Sequence, residues 1–368
     1  MVGCRSRTYP SGMSVAAYTT ARDRLRRVED GVDLRILLDV VLLALHDVVP
    51  FTSGTVMTVD PLTFLPTGAV VEGFEPSDCV PFWETELLLP GFNKFTELAG
   101  RRDPVATLVD ATDGDLERSS AFVRLYAPFG IADELRVAFL CGTTCWGVAV
   151  LVRTDEHGAF DEHEVAAVRQ LAPLVARQLR SSVRSLSAPS GGHAAMMVVD
   201  EDDIVVELTP DARVLLDELR TPGLAEDGLP LLIRAIVTRA RTRRSASHLA
   251  TRVTGTTGRW LHVTASPMEA NPVRVAVMIE PARAGDIMPI LLDTYGLTDR
   301  QVEIVLLLAR GLSAKDIATE TALSAHTVRD HTKAIFEKAE VNSRGELLAK
   351  LFAEHIVDGF HQATHRAP

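Results

Sequence analysis

The sequence predicts a multidomain α+β protein: two domains built on antiparallel sheets with helices, followed by an all-α domain of four helices. Three observations predict it. The chain has 368 residues, more than one ordinary domain holds. Two stretches, "ELRVAFLCGTTCWGVAVLVR" and "ATRVTGTTGRWLHVTASPME", alternate apolar and polar residues around short turns, as half-buried hairpins do. The segment 297–357 repeats a hydroxyl residue three positions before a side chain able to cap in return, the signature of successive helix starts.

Composition sets outer limits. With 46% hydrophobic and 24% charged residues the chain suits a globular protein rather than a disordered or fibrous one. The most apolar run, Ile36 to Val49, is broken by Asp39 and too short to span a bilayer, so it is expected as a buried helix, and no membrane partner is expected. Residues 1–12 carry basic residues with no apolar stretch behind them, so no secretory signal is expected and the cytoplasm is the expected location. Met13 is an alternative start of translation. Cys4, Cys79, Cys141 and Cys145 do not form a disulfide pattern and are expected as free thiols, with Cys141 and Cys145 set to face each other across a hairpin.

Residues 1–30 read as an N-terminal extension with a helix. From 31 onward a helix over 34–48 precedes two strands, "SGTVMTVD" and "FLPTGAVVEGF", then a middle that resists assignment. In the hairpin that follows, Leu135, Val137 and Phe139 alternate with Arg136 and Ala138, predicting one buried face. Val165, Val168, Leu171, Val175, Leu179, Val183 and Leu186 then mark one stripe of a long helix, which Pro173 should bend. Its first half should pack on the domain's own sheet, and its second half is expected to pair with another copy. "DEHGAFDEHE", with His157 and His163, reads as a polar loop and a solvated helix start rather than a metal site.

Breaks at "APSGGH" and "PARAGD" place linkers at 187–192 and 285–296. Between them, over 193–284, come two strands joined by the acidic turn "DEDD", a helix begun by Thr209 and Pro210, a helical middle, a hairpin and a last strand. Both sheet domains carry "GTT" shortly before a tryptophan, Trp146 and Trp260, a weak sign of related folds. The order of elements over 31–186, closing with "WGVAVLVR", "FDEHE" and "LAPLVARQL", resembles the GAF family of sensory domains. That resemblance implies a sheet with a ligand-sized pocket and names no ligand. Residues 193–284 are similar in order to a PAS domain.

In 297–357, Thr298 with Gln301, Ser313 with Asp316, and Ser343 with Glu346 predict helix starts, and Ser324 supplies a fourth cap. Gly311 suits a left-handed helix stop. Ile304, Leu307, Leu308, Ile317, Ala318, Val328, Ile335 and Phe336 would fill the core between helices. The succession "LT", "GLS", "IA", "LS.HTV", "H", "I" and "SR.EL" resembles the LuxR-type helix-turn-helix of bacterial transcription factors, with Gln301 where that family usually has Glu. The tail follows at 358–368.

The resemblance implies that residues 325–339 form a helix lying in the major groove of DNA. Val328, Thr332, Ile335, Phe336 and Ala339 would face inward, and His326, Arg329, Asp330 and Lys333 outward. Candidate DNA contacts are Lys315, Ser324, His326, Thr327, Arg329, Asp330 and Lys333. Leu347, Leu348, Leu351 and Phe352 are candidate dimerisation residues. Charge opposes an easy reading: residues 297–356 hold eight Lys and Arg against nine Asp and Glu, a net of −1, within a chain of formal charge −11. Asp330 either pairs with Lys333 along the helix or accepts from a cytosine amine while repelling wrong registers.

These expectations describe a one-component, sequence-specific transcription regulator. Its partners would be double-stranded promoter DNA at an inverted repeat, RNA polymerase, a second copy of itself and an unnamed small-molecule ligand. No cofactor is expected and the chain is not expected to be an enzyme: G-x-S-x-G, Walker A and H-E-x-x-H motifs are absent. The competing reading makes the N-terminal region a small-molecule-converting enzyme or interaction module, with the C-terminal helices as a partner-binding module.

Overall fold

A computed structural model describes residues 15–29, 31–184, 193–224, 228–242, 248–269 and 273–353. Helices α1 (Val15–Arg26) and α2 (Leu34–Val48) lead into strands β1 (Ser53–Val59) and β2 (Pro66–Glu72). The short helices α3 (Cys79–Leu87), α4 (Phe95–Gly100) and α5 (Leu108–Ala111), with β3 (Val105–Thr107) between the last two, make up the segment the sequence left unassigned. Strands β4 (Ile131–Cys141) and β5 (Thr144–Thr154) and the long helix α6 (Glu162–Arg184) complete the domain. Its sheet is antiparallel, in the order β2-β1-β5-β4-β3.

Helix α2 is the predicted span. Asp33 caps it by accepting from the Arg35 N–H at 2.8 Å, and Asp39 is exposed, on the side away from the buried Leu34, Leu37, Leu38, Val41 and Leu45. The carboxylate therefore interrupts the apolar run without interrupting the core. At the start of α6, Asp161 and Glu164 cap each other's backbone N–H groups at 2.8 and 2.9 Å, which gives the acidic "FDEHE" stretch its role.

Two expectations for this domain are corrected. The β4–β5 hairpin is buried on both faces. Leu135, Val137, Phe139, Ala149 and Leu151 pack toward α2 and α6, while Ala138, Val148, Val150 and Val152 join a second apolar cluster on the opposite side. Arg136 is on that second side, 2% exposed, with Glu86 at 2.6 Å and Glu134 at 2.9 Å. A charged residue in the alternation marked a buried ion cluster, because helices cover what a lone hairpin would leave wet. The second half of α6 is also covered: Val175, Leu179 and Val183 are buried in this same chain, in one cluster with residues of α1 and α2 and with Ile287, Ile290 and Leu291. The apolar stripe up to Val183 is thus used within this chain, and Leu186 lies outside the described residues.

The second domain repeats the sheet plan. Strands β6 (Ala195–Val199) and β7 (Val205–Leu208), helices α7 (Pro210–Glu218) and α8 (Leu231–Arg241), and strands β8 (Leu249–Thr254), β9 (Trp260–Pro267) and β10 (Val275–Pro281) assemble in the order β7-β6-β10-β9-β8. Counted within each domain, this is the order of the first sheet. The paired "GTT…W" stretches do not mark equivalent places, however, since Trp146 lies on the fifth strand of its domain and Trp260 on the fourth of its own. Thr209 precedes α7 as expected, yet its hydroxyl accepts from the Met196 N–H at 3.1 Å instead of capping the helix.

The two sheet domains share one apolar cluster, in which Val71, Trp83 and Leu125 of the first meet Ala195, Ile236 and Val263 of the second. Polar groups register the contact: the Thr254 hydroxyl donates to the Thr67 carbonyl at 2.9 Å, and Val71 N–H donates to the Pro222 carbonyl at 3.2 Å. At Gly223, φ +82°, a Cβ would sit 1.8 Å from the Val71 carbonyl oxygen, so this approach requires glycine.

The linker expected at 285–296 is instead mostly helix, α9 (Ala284–Thr294). It has two buried faces. Ile287, Ile290 and Leu291 belong to the cluster around α6, and Met288 and Leu292, with Tyr295, belong to the core of the C-terminal domain. Proline and glycine nearby suggested a break, but the apolar residues on both sides of the helix hold it between two domains. The C-terminal domain follows as α10 (Asp299–Ala309), α11 (Ala314–Glu320), α12 (Ala325–Ala339) and α13 (Arg344–Leu348). Among the described residues no helix is long and apolar enough to cross a membrane.

Candidate nucleic-acid interface

Four hydroxyl caps set the C-terminal helices. Thr298 and Gln301, and Ser313 and Asp316, form reciprocal capping boxes. Ser324 accepts from the Thr327 N–H at 3.0 Å, and Ser343 from the Glu346 N–H at 3.1 Å. The return at the last cap differs from expectation: Glu346 accepts from the Asn342 N–H at 2.7 Å. Gly311 has φ +95° and ends α10 as predicted. Hydrogen bonds from the Ser313 hydroxyl and backbone hold the Asp316 carboxyl below its usual range.

The turn between α11 and α12 is fixed from several sides. Ala322 takes the left-handed conformation at φ +53°, a strained position for a residue with a side chain. The Thr321 hydroxyl donates back to the Ile317 carbonyl at 2.6 Å, and Leu323 N–H donates to Ala318 at 3.0 Å. Arg300, reaching over from α10, donates to the Thr321 carbonyl. Arg344 donates to the Leu308 carbonyl and, at 3.2 Å, to that of Leu312, satisfying the free carbonyl end of α10. Lys338 donates to the Gly296 carbonyl and Gln301 Oε1 at 2.7 and 2.8 Å, tying α12 to the start of α10. These three cations were not singled out from the sequence. "SR.EL" held the one available signal, in Arg344.

Helix α12 spans the predicted 325–339. Val328, Ile335 and Ala339 are buried, and Thr332 and Phe336 are partly so, as the inward stripe requires. His326, Arg329, Asp330 and Lys333 are all exposed, as is Lys315 on α11; Ser324 is exposed at the cap and Thr327 half-buried. Six of the seven candidates thus lie at the N-terminal cap and along the outer face of α12, and Lys315 stands in the first turn of α11. Asp330 does not pair with Lys333. Its carboxylate lies 3.8 Å from His326 Nε2, one turn back, and Lys333 lies 3.9 Å from Glu337, one turn on. All four side chains are more than 60% exposed, so these contacts contribute only tenths of a kcal/mol and yield readily to a ligand.

Of the candidate dimerisation residues, Leu347 and Leu351 are 1% and 2% exposed inside the domain's own core. Leu348 is half-buried, and nothing is described of the Phe352 side chain.

A short helix, a strained turn and a longer helix with a polar outer face make this a helix-turn-helix DNA-binding domain. Residues 296–351 match the model of the family described as bacterial regulatory proteins, luxR family, so the domain is LuxR-type. Over 61 residues the chain is 34% identical to the response regulator protein VraR of Staphylococcus aureus, an alignment covering 17% of this chain and 29% of that protein. The chain thus spans less than a third of the length of the curated relatives it matches.

Among solved structures, a VqmA dimer of Vibrio cholerae without target DNA is 16% identical, with 43% of this chain and 81% of that one covered at a TM-score of 0.21. SdiA in complex with octanoyl-rac-glycerol is 10% identical, with 92% and 96% covered at 0.31. TM-scores this low do not establish a shared arrangement.

Proposed function

We propose that this protein is a one-component transcription regulator in which two sensory domains, GAF-like over 31–186 and PAS-like over 193–284, control a LuxR-type domain that binds an inverted repeat as a homodimer. The observation that carries the proposal is the outer face of α12, where His326, Arg329, Asp330 and Lys333 stand exposed on a helix whose inner stripe is fully used by the core. A helix of that shape fits the major groove. Lys315, Ser324 and Thr327 are suited to phosphates, and Arg329 and Lys333 to base edges or nearby phosphates.

The net charge of −1 over 297–356 implies weak non-specific binding, so specificity must come from base contacts and from doubling the site in a dimer. The shared strand order of the two sheet domains supports reading both as sensors, and α9, buried against both neighbours, supports a mechanical route from them to the DNA-binding domain. Genomic footprinting with the purified full chain tests this. Protection of discrete inverted repeats at moderate salt is expected; a confirmed dimer that protects none sinks the proposal.

A further inference from the structure

A cavity of about 290 Å³ lies between the first sheet and α8 of the second domain. Met57 and Val148 form part of its floor on β1 and β5, Trp83 and Phe95 line it from α3 and α4, and Arg239 reaches it from α8. The volume sits at the small end of ligand pockets, and polar and apolar groups share its walls about equally.

Two of those polar groups lack partners. Trp83 is 2% exposed, and its indole N–H, buried, meets no acceptor. A buried donor left without an acceptor is destabilising, and at a cavity wall an occupant can meet it. Arg239 is half-buried, and among the described residues its guanidinium has neither hydrogen bond nor ion pair. The nearby charges are otherwise matched. Glu86 accepts from Arg136 at 2.6 Å and from the Phe95 N–H at 3.0 Å, and Glu134 takes Arg136 at 2.9 Å. Lys94 donates to the carbonyls of Glu86 and Leu89, which leaves one of its three protons free. Among the described residues, Lys94 and Arg136 balance Glu86 and Glu134, and Arg239 is the cation left over.

We propose that this interdomain cavity binds a small monocarboxylate with an apolar body, its carboxylate held by Arg239 with help from the Trp83 N–H and Lys94, its body against Met57, Phe95 and Val148. The arrangement matches the chemistry: a guanidinium fork takes a carboxylate in two parallel bonds, and the apolar side chains beside it cover the ligand's body. Because Arg239 belongs to the second domain and the rest to the first, the ligand closes the seam between them. The inference rests on the sensor reading for its consequence at DNA; binding itself is measured without DNA.

The test titrates benzoate, phenylacetate and isovalerate, with benzyl alcohol as the neutral counterpart, into the full-length protein, by calorimetry and thermal shift. Saturable binding of at least one acid is expected, with the alcohol at least tenfold weaker. Arg239→Gln should raise Kd for that acid at least tenfold at unchanged circular dichroism, with Arg239→Lys between the two. Trp83→Phe, which keeps the ring and removes the donor, should weaken binding severalfold. Absence of saturable binding by every acid, equal binding of the alcohol, or an unchanged Kd in Arg239→Gln overturns the proposal. A protein that footprints DNA yet binds no acid overturns the cavity reading alone; one that binds an acid and protects no DNA upholds it and overturns the regulator reading.

Discussion

Arg252, on β8 of the second sheet, grips the fully buried carboxylate of Asp60 at the end of β1, with Nη2 and Nε 2.6 and 2.9 Å from Oδ2. The same guanidinium donates to the Asp286 carbonyl of α9 at 2.7 Å. One side chain thus joins both sheet domains and the helix that leads to the DNA-binding domain. Asp60 also accepts from the Leu62 N–H at 3.0 Å and the Thr251 hydroxyl at 3.3 Å, so the buried charge is well satisfied.

Removing either partner should leave an uncompensated buried charge. Arg252→Met and Asp60→Asn are each expected to lower the unfolding free energy by about 3–5 kcal/mol, since breaking a buried pair costs more than the pair contributes. The Asp60→Asn, Arg252→Met double variant should recover much of that loss. Chemical denaturation of the four proteins measures it, and additive losses would show that the two residues act independently.

On α12, Arg329→Ala and Lys333→Ala should weaken operator binding, each lowering the slope of log K against log salt by about 1 where the lost contact is to phosphate. Asp330→Asn should instead change the preferred base at one symmetric position, because a carboxylate accepts from cytosine and an amide suits adenine. An unchanged binding logo from randomised operators would leave Asp330 as the helix-surface partner of His326.

Acid should loosen α11. The folded Asp316 carboxyl is held down by Ser313, so its contribution is present above the unfolded carboxylate pKa of about 3.9 and is lost as pH falls through the lower folded value. Tm measured between pH 6 and pH 3 should therefore fall less steeply in Asp316→Asn than in the wild type. Parallel curves would remove Asp316 from the acid response.

The thiols should be poor nucleophiles. Burial pushes the Cys145 thiol up to about 12 and raises that of Cys141, and the two are not opposite one another: Cys141 pairs with Thr144 and Cys145 with Leu140 across the hairpin. At pH 8 the thiolate fraction of Cys145 is then about 10⁻⁴, and iodoacetamide should leave it unmodified in native protein while labelling it in denaturant, as read by peptide mass mapping. Rapid native labelling would contradict this burial.

Much of the DNA-binding domain was legible in the residues because its signals are local. A cap and the side chain it meets lie three positions apart, and an inner stripe repeats every three or four, so Ser324, Val328, Ile335 and Ala339 suffice to place α12 and to turn Arg329 and Asp330 outward. Helix α2 was readable for the same reason. Arg136, the second half of α6 and α9 were misread because the feature that decides each is distant in sequence: Glu86 for the arginine, Ile287 and Ile290 for the α6 stripe, and two separate cores for a helix that local composition presents as a linker.

By itself, then, the sequence determined the periodic elements, the order of the domains and the outward stripe of α12, since each depends on spacings shorter than a few helical turns. Only the tertiary structure decided which faces are left bare. It buried Leu347 and Leu351, gave Asp330 to His326, and brought Arg239 and Arg252 against the first domain. Burial and charge pairing depend on which surfaces meet across the whole chain, and no local pattern carries that information.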